Sequence, residues 1–339
     1  MNTLPIARWQ KVFAAAIAIT GITSTTNAVA AELLRGAGDS FAQPLYQRYS
    51  QEYAQQTGEK FKYTTIGSGG GIRLFINKSI DFAATNLIPT PIEQNQIKDG
   101  LLMLPTGGSA VAIVYNLQNV SQEVKLSRSK LAQIFSGKIT NWQQVNPSFP
   151  SKRIQVVVCQ DSCGTSYILT KYLHKITGGE ITASRSPEWG FSVYASLAQD
   201  SAIAAEVRRV DGAIGYVQRN FALDSNLTIA SLENKSGNYL TPTLEATQKA
   251  LGNVKFNDDF TTEDIADPED GYPLASLTWI LVYQKYTNEE TLNSTKNLLL
   301  WILTKGQALN EQLEYTRIPE DIAKKAEKAI NDQLRIIPY

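Results

Sequence analysis

Apolar residues along this chain fall into two patterns. Unbroken apolar runs predict buried strands at Val111-Ala112-Ile113-Val114-Tyr115, at Ile154-Gln155-Val156-Val157-Val158 and at Thr278-Trp279-Ile280-Leu281-Val282-Tyr283. Spacings of three and four predict helical faces. Leu45, Tyr46, Tyr49 and Tyr53 share one, and Tyr167, Ile168, Tyr172 and Leu173 share another. A strongly apolar helix is expected around Asn297 to Ile302, and an amphipathic one from Ile322 to Leu334. Strands alternating with helices indicate an α/β class with largely parallel sheets. Polar, turn-rich stretches predict loops near 86–100, 140–153, 231–242 and 256–273.

The first thirty residues follow a different rule. Arg8 and Lys11 precede an apolar stretch from Val12 to Ile22, and Ala28-Val29-Ala30 follows. Basic, then apolar, then A-x-A is the order of a secretory signal peptide, and the apolar part is too short for a bilayer-spanning helix. Residues 1–30 are therefore expected to be removed on export, leaving 339 − 30 = 309 residues. At that length two α/β lobes are expected rather than one.

Charge narrows the chemistry. The chain holds 32 Lys+Arg, 32 Asp+Glu and one His, His174. A net charge of zero argues against a nucleic-acid binder, and a single His against His-based catalysis or a multi-His metal site. His174, beside Leu173 on a helix, reads as a surface or hydrogen-bonded histidine. No catalytic residue, metal site or cofactor is expected, because neither a nucleophile with its base nor a metal cluster is visible.

One local design recurs three times. Gly36-Ala37-Gly38-Asp39-Ser40-Phe41, Ile66-Gly67-Ser68-Gly69-Gly70-Gly71-Ile72 and Asp161-Ser162-Cys163-Gly164-Thr165-Ser166 each precede a helical pattern. Each offers unpaired backbone N–H groups at a helix start, together with hydroxyls and small residues that let an anion approach the backbone. None has the P-loop or dinucleotide-binding spacing, so a nucleotide enzyme is disfavoured. Three such turns brought together would cage a small oxyanion.

The segments GAGDSFAQPLYQRYSQEYAQQTG, IGSGGGI, DFAATNLIP, IFSGKITNW, DSCGTSYILTKYL and GAIGYV, in that order, closely resemble periplasmic phosphate-binding proteins of ABC importers, the PstS and SphX type. The likeness runs over nearly the whole chain after residue 30. It implies a two-lobed periplasmic binding protein, type II-like, with the ligand cleft between lobes formed by 31–107 plus 272–339 and by 108–271. It further implies that the chain is a monomer that captures inorganic phosphate and delivers it to permease subunits in the membrane.

Carried over by position, the resemblance assigns phosphate contacts to Ser40, Phe41, Ser68, Gly164 and Thr165, with Asn86 and Cys163 at two further contact positions, and supporting roles to Asp161 and Cys159. Three positions depart from the family pattern. Asn86 stands where the family has an Asp that accepts a proton from phosphate, Cys159 replaces the binding Arg, and Cys163 replaces a Ser. Asn can donate where a carboxylate only accepts, so altered oxyanion selectivity (sulfate or another anion) and a non-transport sensor are the alternatives. Loss of the Arg removes a bidentate charged donor. Arg73 is a candidate replacement cation, against the simpler reading of a solvated surface Arg. Cys159 and Cys163 are the chain's two cysteines. An even pair in an exported chain suggests a disulfide; two free buried thiols or a metal or redox role are the other options.

Overall fold

The computed structural model describes residues 34–160, 162–262 and 265–338. The expected leader, residues 1–30, and the supporting Asp161 lie outside the described residues. A nine-stranded mixed sheet organises the rest. In chain order its strands are β1 (Leu34–Gly38), β2 (Phe61–Thr65), β3 (Phe82–Thr85), β4 (Leu102–Tyr115), β5 (Gln155–Cys159), β6 (Ala195–Leu197), β7 (Ala213–Gln218), β8 (Thr228–Ile229) and β9 (Ala275–Val282). They lie side by side as β2-β1-β3-β9-β4-β7-β5-β6, with β8 also pairing β4. Six helices position the features discussed below: α1 (Gln43–Thr57), α2 (Ser68–Ile76), α3 (Gly164–Ile176), α4 (Asp200–Arg209), α5 (Glu289–Trp301) and α6 (Glu320–Gln333).

The sheet is parallel at its flanks and antiparallel at its centre, where largely parallel pairing is the sequence expectation. β1 pairs β2 and β3 in parallel, and β5 pairs β6 and β7 in parallel. Between them β4 runs antiparallel to β9 from Leu102 to Ala110, then antiparallel to β7 from Val111 to Tyr115. β4 is fourteen residues long and buried throughout, which is why its sequence lacks polar alternation.

Two hydrophobic cores share this sheet. The first holds Leu34 to Leu104 except Phe41, together with Phe260 and Leu277 to Leu334, with Tyr49 and Tyr53 of α1 packed beside Trp301 and Tyr46 against Tyr49. The second holds residues from Ala110 to Leu274, and also Phe41. Core membership switches along β4 between Leu104 and Ala110, and at the start of β9 between Leu274 and Leu277. Two strands thus cross from one core to the other.

The expected helices form, and α5 continues into a π-helical turn at Ile302–Gly306. Two expected loops contain short helices. Pro91–Gln96 starts at Thr90, whose hydroxyl and Glu93 close a reciprocal capping box; the T-x-x-E spacing was present in the sequence. Trp142–Val145 starts at Asn141 in the same way with Gln144. Segment 231–242 holds a small hairpin, Ser231–Glu233 with Tyr239–Leu240. No described helix is long and apolar enough to cross a membrane.

Candidate functional site

Four helix starts meet where the two cores adjoin. The first is the turn from β1 into α1. Gly38 ends β1 so close to β3 that a Cβ there would lie 1.9 Å from the Ala84 carbonyl oxygen. Asp39 follows, its N–H donating to Ala84 O (3.0 Å) and its Oδ1 accepting from the Ala42 N–H (3.0 Å). The Tyr63 hydroxyl donates to the Asp39 carbonyl at 2.8 Å, and the Tyr315 hydroxyl to the Phe41 carbonyl at 2.6 Å. These contacts hold Ser40 and Phe41 in a fixed turn.

The second start is α2. Gly67 precedes it with φ 79°, and no side chain caps it. Gly71 presses this helix onto β1, a Cβ there falling 2.7 Å from Gly38 Cα. Ser68 is fully buried and donates its hydroxyl to Asn86 Oδ1 at 2.9 Å. The third is α3, entered from β5. Cys159 and Cys163 are joined by a disulfide, with Cα atoms 6.3 Å apart, and Cys163 supplies no side-chain cap. The first-turn N–H groups of Gly164 and Thr165 have no carbonyl within the helix to bond. Gly164 must lack a side chain, because a Cβ would lie 1.6 Å from Asn86 Oδ1. Asn86, from the first core's side, thus abuts the α3 start on the second core's side.

The fourth start, α4, has no counterpart among the three small-residue turns of the sequence. Its N-cap is Gln199, and its first residue, Asp200, is fully buried. Asp200 accepts from the Thr165 hydroxyl (Oδ1, 3.4 Å) and the Gln218 N–H (Oδ2, 2.9 Å).

A small cavity of about 10 Å3 lies at this junction, room for about one water-sized group. Its walls include Ser40, Phe41, Ser68, Asn86, Cys163, Gly164 and Thr165, so all seven residues assigned to ligand contact by resemblance come together. Asp39, Thr65, Gly67, Ala198 and Gln199 complete it. Cys159 is absent from the lining and is tied into the disulfide. Arg73 is exposed and outside the cavity. His174 is exposed, its Nδ1 2.9 Å from the Ile181 carbonyl. Among the described residues no Lys, Arg or His lines the cavity, and no group of three potential metal ligands is present.

The electrostatics differ from what the missing Arg and Asp suggest. Two buried carboxyls stand at the site, Asp39 at 1% and Asp200 at 0% exposure. Burial pushes Asp39 from its ordinary 3.8 up to about 7; the nearby charge of Asp200 adds to this, while N–H groups of Ala42 and Asn86 and the Tyr63 hydroxyl pull partly back. Burial pushes Asp200 only to about 6, because the Gln218 N–H and the Ser40 and Thr165 hydroxyls stabilise its charge. On the cavity-lining residues two side-chain atoms are buried without a hydrogen-bond partner among the described residues, Asp39 Oδ2 and Asn86 Nδ2. Asp39 lies in the first Gly-rich turn, where the sequence pattern marks a helix opening and gives no sign of a buried carboxyl. Gln199 and Asp200 carried no signal beyond an acidic residue at a helix start.

Comparison with known proteins agrees with this architecture. A model of the PBP superfamily domain matches residues 23–305. The phosphate-binding protein PstS of Haemophilus influenzae is 31% identical over 311 residues, covering 86% of this chain and 90% of its own. PstS of Pasteurella multocida is 30% identical, covering 87% and 89%. Among solved structures, a high-affinity periplasmic phosphate-binding protein bound with phosphate superposes with a TM-score of 0.76 at 19% identity, covering 88% of this chain and 94% of that one. The chain belongs to the PBP superfamily, within the family of periplasmic phosphate-binding proteins of PstS type.

Proposed function

We propose that this protein captures inorganic phosphate outside the cytoplasmic membrane and delivers it to the permease subunits of an ABC importer. It acts as an exported monomer with a cleaved leader, binds without turning over its ligand, and needs no cofactor. Ser40, Phe41, Ser68, Asn86, Gly164 and Thr165 contact the anion through hydroxyls, an amide and helix-start N–H groups. The lobes are 31–107 plus 272–339 and 108–271, bending where β4 and β9 cross between the cores, a motion that must widen the water-sized cavity to admit the anion before closing on it.

The observation that carries this reading is the convergence of four helix starts on one small cavity with the Ser40, Ser68 and Thr165 hydroxyls. Each N-terminus presents about half a positive charge and unpaired N–H groups, which suits a small anion. PstS relatives over most of the chain support phosphate as that anion.

A second reading keeps the fold and changes the selectivity, or makes the protein a phosphate sensor rather than a carrier. It is favoured by Asn86, by the disulfide that occupies Cys159, and by the lack of a cation lining the cavity among the described residues. Equilibrium dialysis of purified protein against labelled phosphate near neutral pH separates the two. Micromolar or tighter binding that survives excess sulfate is expected. Equal competition by sulfate would establish the second reading, and no phosphate retention would sink the first. Delivery is tested by phosphate uptake into vesicles bearing the permease, with and without this protein.

A further inference from the structure

We propose that Asp39 makes this a proton-coupled anion site: a tetrahedral oxyanion enters only with one proton shared between an anion oxygen and Asp39 Oδ2, while Asn86 Nδ2 donates to a second oxygen. The inference rests on oxyanion capture at this cavity and specifies which protonation state is captured.

The argument begins with unmatched groups. The buried Asp39 Oδ2 and Asn86 Nδ2 have no hydrogen-bond partner among the described residues, and both residues line the same cavity. One atom is an acceptor and the other a donor. Buried polar atoms without partners are costly, and two of opposite kind on residues that line one cavity call for a ligand offering both a hydroxyl and a bare oxygen. A monohydrogen oxyanion has both. A bare dianion has acceptors alone and would face the Asp39 carboxylate across a shared boundary.

Charge leads to the same place. No described cation lines the cavity. The positive ends of four helices are set against two carboxyls, so with both ionised little positive potential remains for a dianion. A proton at Asp39 restores it. The other titratable groups around Asp39 are Tyr46 from α1, Tyr63 from β2, Tyr315 from the turn after 307–312 and Asp200 from α4. Burial raises all three tyrosines far above the working range, so they stay neutral. The remaining walls present Ser40, Ser68, Asn86 and Thr165, which do not titrate. Asp200 is already hydrogen-bonded through both oxygens, which leaves Asp39 as the group able to bridge to a ligand. Its displacement to about 7 puts the proton within reach of ordinary conditions.

The ledger differs between anions. Monohydrogen phosphate brings its own proton, and an ionised Asp39 accepts it. Sulfate has none, so Asp39 must first take one from solution. Sulfate binding therefore weakens about tenfold for each pH unit above about 7, one proton being taken up per anion bound.

The test is calorimetric titration of the purified protein with phosphate and with sulfate between about pH 5 and about pH 9, in buffers of different ionisation heat so that protons are counted. Expected are one proton taken up with sulfate above about pH 7 and none at the acid end, fewer with phosphate at the alkaline end, and a preference for phosphate that widens with pH. Asp39→Asn keeps an oxygen for the Ala42 N–H while abolishing the shared proton. It is expected to flatten the sulfate profile and cut the phosphate preference at the alkaline end at least tenfold. Proton counting on the unaltered protein needs no variant and so guards against a misfolded one. Phosphate binding with a pH-independent sulfate affinity, or full selectivity retained by Asp39→Asn, would overturn the inference and leave phosphate capture standing. Binding of neither anion at any pH would overturn both.

Discussion

Asp39 and Asp200 are the same residue type, equally buried, each at a helix start beside one cavity, and they differ in their company. Asp200 has donors on both oxygens, whereas Asp39 has one oxygen held by Ala42 and the other unpartnered. The first is pushed to about 6 and the second to about 7. Burial pushes each carboxyl up and its donors pull it back, and for Asp39 the nearby charge of Asp200 adds a further push. The walls differ too. The Asp39 wall is held by close backbone approach at Gly38 and Gly71, the Asp200 wall by a disulfide and a helix entered from β5.

The largest expected effect is on stability against pH. A folded-state value of about 7 lies above the ordinary 3.8, so the fold favours neutral Asp39. The stability this group contributes is complete below about pH 4 and is lost as pH rises through about 7, roughly 3 pH units at ~1.4 kcal/mol each, or about 4 kcal/mol. Urea unfolding across that range should show the parent losing stability that Asp39→Asn does not lose. Parallel curves would mean that Asp39 is far less buried or better paired than described.

Next come the walls. Gly38→Ala places a methyl against the Ala84 backbone, which cannot step aside, and should cost about 3 kcal/mol. Replacing Cys159 and Cys163 together by Ala and Ser opens a loop of sequence separation 4 and should cost about 2 kcal/mol by chain entropy. Thermal unfolding ranks the two, and the reverse order would make the disulfide the firmer brace. The smallest effect sharpens the carboxyl comparison directly. Thr165→Val removes one donor from Asp200 and should cost about 1 kcal/mol. It should also move the Asp200 titration upward toward that of Asp39, read from the carboxyl carbon resonance by NMR.

Much of this molecule was legible in its chain. Unbroken apolar runs marked β4, β5 and β9, because strands buried on both faces need no polar alternation. Spacings of three and four marked α1 and α3, and the Gly/Ser turns marked three of the four helix starts. These are local properties, fixed within a few residues of backbone preference and side-chain size. The antiparallel centre of the sheet was not legible, since strand direction depends on how β4 and β9 cross between two cores. Nor was the fourth helix start, because Gln199 reaches the cavity, with Asp200 beside it, from about 160 residues after Asp39 in a chain of 339. The sequence determined that hydroxyls, glycines and an acid stand at helix openings. Only the tertiary structure decided that two acids would be buried beside one cavity that no described cation lines, because desolvation and a missing partner are properties of what surrounds a carboxyl, and its surroundings come from distant parts of the chain.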